Sequence, residues 1–294
     1  MLSNTAAWIT RPKSTPLEVK EAPYPTPGAT DIVVETAAVA INPLEYKIQD
    51  FNPAIGGKAL NYPTVLGSDL AGTVISVGSD VMNCKTGDRV LAHAPGSAMG
   101  MPERSAFQKY VLLKGNMVTS IPRNISFEEA VVLPLACDTA MAGLFVPRAL
   151  GLSTDSLEGG QAVSSRDHEV LLIWGGSSSV GCCAIQMSRA AGYDVYVTAS
   201  AKNYELCKSL GATEVFDYSK HDVEASIVAA LQGKKVAGAL DCIADGHSTV
   251  PACTRILAQA VGKKKVITVL SPPSSGLDAA VEAQRREYAA LNSS

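Results

Sequence analysis

Val170-Leu171-Leu172-Ile173-Trp174-Gly175-Gly176-Ser177-Ser178-Ser179-Val180-Gly181 reads as a buried strand that stops at two glycines, turns through three serines and enters a helix. A turn of this kind exposes backbone N–H groups at a helix N-terminus, where the partial positive charge favours a phosphate. Glycine lets the backbone approach a pyrophosphate with no Cβ in the way. The run therefore points to a dinucleotide site formed by Gly175, Gly176, Ser177, Ser178, Ser179, Val180 and Gly181.

Outward from this turn, strands and helices alternate. Strands are expected at Glu169–Trp174, Asp194–Thr198, Glu214–Tyr218, Val236–Ile243 and Lys265–Leu270, with helices at Val180–Ala191, Tyr204–Leu210, Asp222–Leu231 and Thr249–Ala258. Gly192, Gly211 and Gly233 each follow a helix, as a left-handed cap would. This order predicts a doubly wound parallel sheet. Ahead of it, Ser126-Phe127-Glu128-Glu129 has the spacing of a capping box and opens a helix expected to continue through Ala130–Leu135 toward Leu144-Phe145.

The end of the second strand bears on which dinucleotide is held. A carboxylate about 20 residues beyond the first glycine would bind a ribose 2′-hydroxyl and indicate NAD. The chain has Thr198-Ala199-Ser200-Ala201-Lys202-Asn203 there, with no acid. The hydroxyl of Ser200, the cation of Lys202 and the amide of Asn203 suit a 2′-phosphate, so NADPH is the expected cofactor; a solvated surface lysine is the other reading of Lys202. Tyr218 closes the third strand, either against the adenine or ribose or as an ordinary strand-end tyrosine, and Leu270, ending the last strand, joins the cofactor-binding candidates.

The first ~125 residues differ in texture: short β segments at Ala6–Arg11, Leu17–Ala22, Asp31–Ile41, Ala71–Val77, Arg89–Ala92 and Phe107–Leu113 are separated by Pro, Gly, Asn and Asp clusters. That pattern suggests a compact, partly open barrel. The expected domains are 1–125, 126–272 and a helical tail over 273–294. With a net charge of −3 in 294 residues, no basic footprint argues for nucleic acid or an anionic membrane. No apolar run approaches the ~20 residues of a membrane span. The N-terminus shows no secretory signal. Seven scattered cysteines without a C-x-x-C pair suggest neither a disulfide framework nor a zinc ribbon, and fit a reducing, cytoplasmic setting. Cys137 and the Cys182-Cys183 pair read as packing residues, and Lys263-Lys264-Lys265 as a solvated turn.

With Ala40-Ile41-Asn42-Pro43-Leu44-Glu45-Tyr46-Lys47, Leu66-Gly67-Ser68-Asp69-Leu70-Ala71-Gly72-Thr73-Val74, Lys85-Thr86-Gly87-Asp88-Arg89-Val90 and the glycine turn together, the chain resembles the medium-chain dehydrogenase/reductase superfamily. More narrowly, it resembles the zinc-free quinone oxidoreductase and fungal trans-acting enoyl reductase branch. The resemblance implies a GroES-like partly open β-barrel domain plus a Rossmann domain, an α/β fold with the active site in the cleft between the two. Zinc-dependent relatives carry cysteine where this chain has Asn42 and a His-Glu pair where it has Ser68-Asp69. Catalytic zinc needs three N, S or carboxylate ligands, so no metal is expected; Asp69 would hold the loop backbone instead.

The reaction implied is hydride transfer from NADPH to the C=C bond of an α,β-unsaturated carbonyl, in a quinone, a small molecule or an acyl thioester, with a polyketide synthase served in trans as a partner. Asn42, Tyr46 and Lys47 are the catalytic candidates; Tyr46 or a water would deliver the proton. The stretch Leu133, Pro134, Leu135, Ala136, Cys137, Asp138, Thr139, Ala140 matches the one that lines the substrate channel in the trans-acting enzymes, a proline-kinked core helix being the other reading. A monomer or homodimer is expected. Relatives continue beyond the strand at Lys265–Leu270, whereas here Ser271–Gly276 leads into a loosely amphipathic Leu277–Leu291, so a shortened C-terminus is expected. That departure keeps a second function open, a catalytically weak NADPH-binding sensor or partner protein.

Overall fold

The structure, a computed structural model, describes residues 3–51, 60–158 and 169–270; the tail over 273–294, for which a helix is expected, lies outside them, as does His168. In chain order the elements are β1 (Asn4–Ile9), β2 (Glu18–Ala22), β3 (Asp31–Ala40), α1 (Pro43–Phe51), β4 (Thr64–Val65), β5 (Asp69–Val77), β6 (Arg89–His93), α2 (Gly96–Met99), β7 (Tyr110–Lys114), β8 (Val118–Ser120) and α3 (Phe127–Ala130). They continue with α4 (Pro134–Phe145), α5 (Asp155–Glu158), β9 (Val170–Trp174), α6 (Ser179–Ala190), β10 (Asp194–Ala199), α7 (Tyr204–Ser209), β11 (Glu214–Asp217), α8 (Val223–Ala230), β12 (Lys235–Asp241), α9 (Thr249–Gln259), β13 (Val261–Gly262) and β14 (Val266–Thr268). The chain forms two compact units, Met1–Leu135 and Ala136–Ser294.

The first unit is built on antiparallel pairing: one sheet runs β7-β3-β5-β6-β8 and a smaller one β2-β1-β4. Alternate residues of β3 supply two different cores. Ile32 and Val34 join Leu70, Val74, Val90, Val111 and Leu113 on one face, while Val33 packs with Tyr110 and Leu112 on the other. This is the period-two geometry of a pleated strand. Asp31, at the start of β3, is buried against Arg104 and Lys114, and its second oxygen accepts the Gly28 N–H at 3.2 Å. Burial pushes the Asp31 carboxyl up, but these three donors outweigh it and hold the group below the usual carboxylate range.

α3 belongs to this unit because Ala130 and Val131 close a small core with Ala71 and Ile121. The Ser126 capping box forms as expected, with both reciprocal bonds present. The single helix expected from Ser126 toward Phe145 is instead two. Pro134 opens α4, lacks an N–H and disfavours helical backbone in the residue before it, so Val131–Leu133 becomes a turn. α1 is also new relative to the sequence reading, although its signals were present. Pro43 sits in its first position, and Glu45 accepts the Asn42 N–H at 2.6 Å.

The second unit is the expected doubly wound parallel sheet, in the order β11-β10-β9-β12, with β13 and β14 each paired to β12. Its central strands β9, β10 and β12 are buried on both faces. Leu171, Ile173, Val195 and Val197 face one core with α4 and α6, while Val170, Leu172, Trp174 and Tyr196 face another with α8 and α9. Gly192, Gly211 and Gly233 all have positive φ, as their cap positions require. The lysine run is not simply a solvated turn. Lys263 Nζ donates to the Leu150 carbonyl, Lys264 Nζ to the Leu257 and Ala260 carbonyls ending α9, and Lys265 Nζ to Arg148 O at 2.7 Å. Lys264 thereby satisfies carbonyls that the end of α9 leaves without partners.

Candidate functional site

In the second unit the glycine turn is closed by its own residues. Gly175 takes φ +83 and donates its N–H to Thr198 Oγ1 at 3.0 Å, while Gly176 N–H donates to Thr198 O at 2.9 Å. The turn is thereby fastened to β10. Ser178 caps α6: its Oγ accepts the Gly181 N–H at 3.0 Å and donates to Gly175 O at 2.8 Å. The N–H groups of Ser179 and Val180, in the first turn of α6, have no intrahelical acceptor. A Cβ on Gly181 would stand 2.3 Å from Gly175 O and 2.8 Å from Gly176 O, so only glycine lets the helix start this close to the turn.

The structure brings two of the selectivity candidates to the turn. Asn203 Nδ2 donates to Ser177 Oγ at 3.1 Å and to Ser200 Oγ at 3.2 Å, linking the turn to the end of β10. Lys202, beside them, is exposed. Tyr218 is half exposed just past β11, and Leu270 lies past β14. The loop after β12 was not singled out in the sequence. Asp241, fully buried, accepts N–H bonds from Ile243 and Ala244 with one oxygen and the Thr249 hydroxyl at 2.6 Å with the other. It thus fixes a loop in which Ala244 takes φ +60 and Ile243 covers Gly175. An acid ending an apolar strand, Leu240-Asp241, was the available signal.

In the first unit Asn42 precedes α1 and donates from Nδ2 to Asp69 Oδ2 at 2.8 Å. Asp69 Oδ1 accepts the Leu135 N–H at 2.7 Å, so this fully buried carboxylate ties the start of α1 to the start of α4. Burial drives the Asp69 carboxyl up to about 6, against the two hydrogen bonds and nearby His93; the Glu45 carboxylate adds to the rise. Glu45 is itself buried, with Oε1 lacking a hydrogen-bond partner. Tyr46 is half exposed and Lys47 half-buried on α1. In the stretch at the start of α4, Leu133 and Asp138 are exposed, Pro134, Ala136 and Ala140 are buried, and Leu135 and Thr139 lie between. Cys137 is half-buried rather than a fully enclosed core residue, because it lies beside Cys183 at the edge of the cluster. Among the described residues no group of three or more His, Cys, Asp and Glu side chains is placed to hold a metal ion, and no helix is long and apolar enough to cross a membrane.

Residues 28–123 match the family model described as the alcohol dehydrogenase GroES-like domain, and residues 179–280 match that of a zinc-binding dehydrogenase. The dehydrogenase pigH of Monascus ruber is 43% identical over 274 residues, covering 92% of this chain and 72% of that protein. The trans-enoyl reductase tndF of Aspergillus flavipes is 40% identical over 235 residues, covering 79% of this chain and 65% of its own length. A solved structure of a putative zinc-dependent alcohol dehydrogenase from Rhizobium etli superposes with a TM-score of 0.74 at 27% identity, over 97% of this chain and 77% of that one.

Proposed function

Since the chain belongs to the medium-chain dehydrogenase/reductase superfamily and is an oxidoreductase, we propose that it is a zinc-independent, NADPH-dependent reductase of activated C=C bonds. The observation that carries the cofactor is the Ser177–Asn203–Ser200 link beside Lys202, where an NAD enzyme would place an acid. The first turn of α6 would take the pyrophosphate, and Ser200, Lys202 and Asn203 the 2′-phosphate. When bound, NADPH supplies a hydride for the β-carbon of an α,β-unsaturated carbonyl. Around it the chain's own work is to bind and orient. Asp69 accepts from Asn42 Nδ2 and so fixes the amide, which leaves Asn42 Oδ1 and the Lys47 ammonium as polar groups for the ribose or the carbonyl.

The donor set does not fit zinc. Asn42 is an amide already bonded to Asp69, Ser68 is a buried hydroxyl, and both Asp69 oxygens accept hydrogen bonds. Conjugation makes the β-carbon electrophilic and stabilises the enolate, so the chemistry does not demand a Lewis acid. The likeness to tndF supports an enoyl thioester on a polyketide synthase as the substrate class.

Titration with NADPH and NADH, followed by turnover with enones, quinones and acyl thioesters, tests this reading. NADPH should bind about tenfold or more tightly, and Lys202→Ala should erase most of that preference while leaving NADH binding unchanged. Preference for NADH would overturn the cofactor assignment, and loss of turnover on chelation would overturn zinc independence. NADPH binding without turnover on any acceptor would favour a sensor or partner role.

A further inference from the structure

Cys137 and Cys183 meet with their sulfurs 3.7 Å apart, Cys137 in the first turns of α4 and Cys183 in the first turns of α6. Cys183 belongs to the buried cluster that also holds Ala136, Ala140 and Ala184, and Cys137 packs against it. A disulfide requires its sulfurs about 2.05 Å apart, so closure calls for an approach of under about 2 Å. The remaining thiols of the unit are differently placed. Cys182 Sγ is turned to Gly176 O at 3.7 Å, while Cys207, Cys242 and Cys253 are buried.

We propose that Cys137 and Cys183 form an oxidisable dithiol, a reversible modification site at which hydrogen peroxide bolts α4 to α6. Accessibility sets the order of events. Cys137 is half-buried, whereas Cys183 is 7% exposed and its thiol is pushed up by the Cys137 hydrogen bond and by burial. The Cys137 sulfur attacks peroxide, the O–O bond breaks, and Cys137 sulfenic acid and water form. The Cys183 sulfur then displaces the hydroxyl, which leaves as water with the Cys183 proton. In sum two thiols are oxidised, one peroxide is reduced and two waters are released.

The bond would lie between a helix whose N-terminus forms the glycine turn and one whose first residues are held by Asp69. It is independent of the cofactor and substrate assigned above.

The test uses the full chain, reduced, treated with hydrogen peroxide, then alkylated under denaturing conditions and weighed intact. Loss of about 2 Da, with five of the seven cysteines alkylated and full recovery on dithiothreitol, is expected. Peptide mapping with fragmentation of the oxidised wild type, and of Cys182→Ser, in which the neighbouring thiol is gone, should both join Cys137 to Cys183, and Cys137→Ser should keep all six of its thiols. Seven thiols retained in the wild type, a bond involving Cys182, Cys242 or Cys84, or a cross-link between chains would overturn the proposal. The mapping reads the wild-type bond even if Cys137→Ser folds poorly.

Discussion

Asp69→Asn isolates the energetic consequence of burying one carboxylate at the junction of α1 and α4. The substitution keeps the shape and removes the charge. The new carbonyl still accepts the Leu135 N–H, and Asn42 can turn its amide to offer an oxygen to the new NH2 group. The folded pKa of Asp69 is raised from 3.8 to about 6, so its contribution to stability is fully present below 3.8 and lost as pH rises through 6. The shift corresponds to about 3 kcal/mol, of which about 2.4 kcal/mol develops between pH 4 and pH 7.5. Relative to wild type, Asp69→Asn should therefore gain about 2 kcal/mol of stability across that interval, because the asparagine has no proton to lose. Urea unfolding in a Trp174→Phe background leaves Trp8, in β1, as the fluorescent reporter of the first unit. Other titrating groups cancel in the difference between the two proteins. A difference independent of pH, or one favouring wild type as pH rises, would show that the buried charge is stabilised and refute the reasoning.

Gly181→Ala places a methyl against two backbone carbonyls that cannot rotate away, so the turn itself must shift. A loss of about 1–3 kcal/mol in stability and at least a tenfold rise in the NADPH dissociation constant are expected by thermal melting and calorimetry, and an unchanged affinity would remove the turn from the cofactor site. Arg104→Ala removes one of the donors that hold the Asp31 carboxyl low. That group's contribution is present above 3.8 and lost as pH falls through its depressed folded pKa. The variant should lose about 1.5–3 kcal/mol at neutral pH and unfold at a higher pH on acidification, which circular dichroism would follow; an acid transition at the wild-type pH would count against it.

Sequence alone determined the elements whose signals are local. Val170–Trp174 could only be a buried strand, two adjacent glycines could only end it in a turn, and glycines at 192, 211 and 233 marked helix ends by their tolerance of positive φ. The absence of an acid after Thr198 was equally legible, since it is a matter of residue type at a spacing. What tertiary structure decided are partnerships between distant residues. Asp69 could be read as a backbone anchor, yet its two partners, Asn42 and Leu135, lie 27 and 66 positions away and are chosen only by the paths of β3, β5 and the turn before α4. The same holds for Asn203 across to Ser177, for Lys263 and Lys265 finding the carbonyls of Leu150 and Arg148, and for Cys137 lying against Cys183. Pattern reports which face a residue belongs to, because period follows from backbone geometry. Which side chain fills the space opposite is set by packing, and by the need of each buried polar group to find a donor or acceptor wherever the fold brings one.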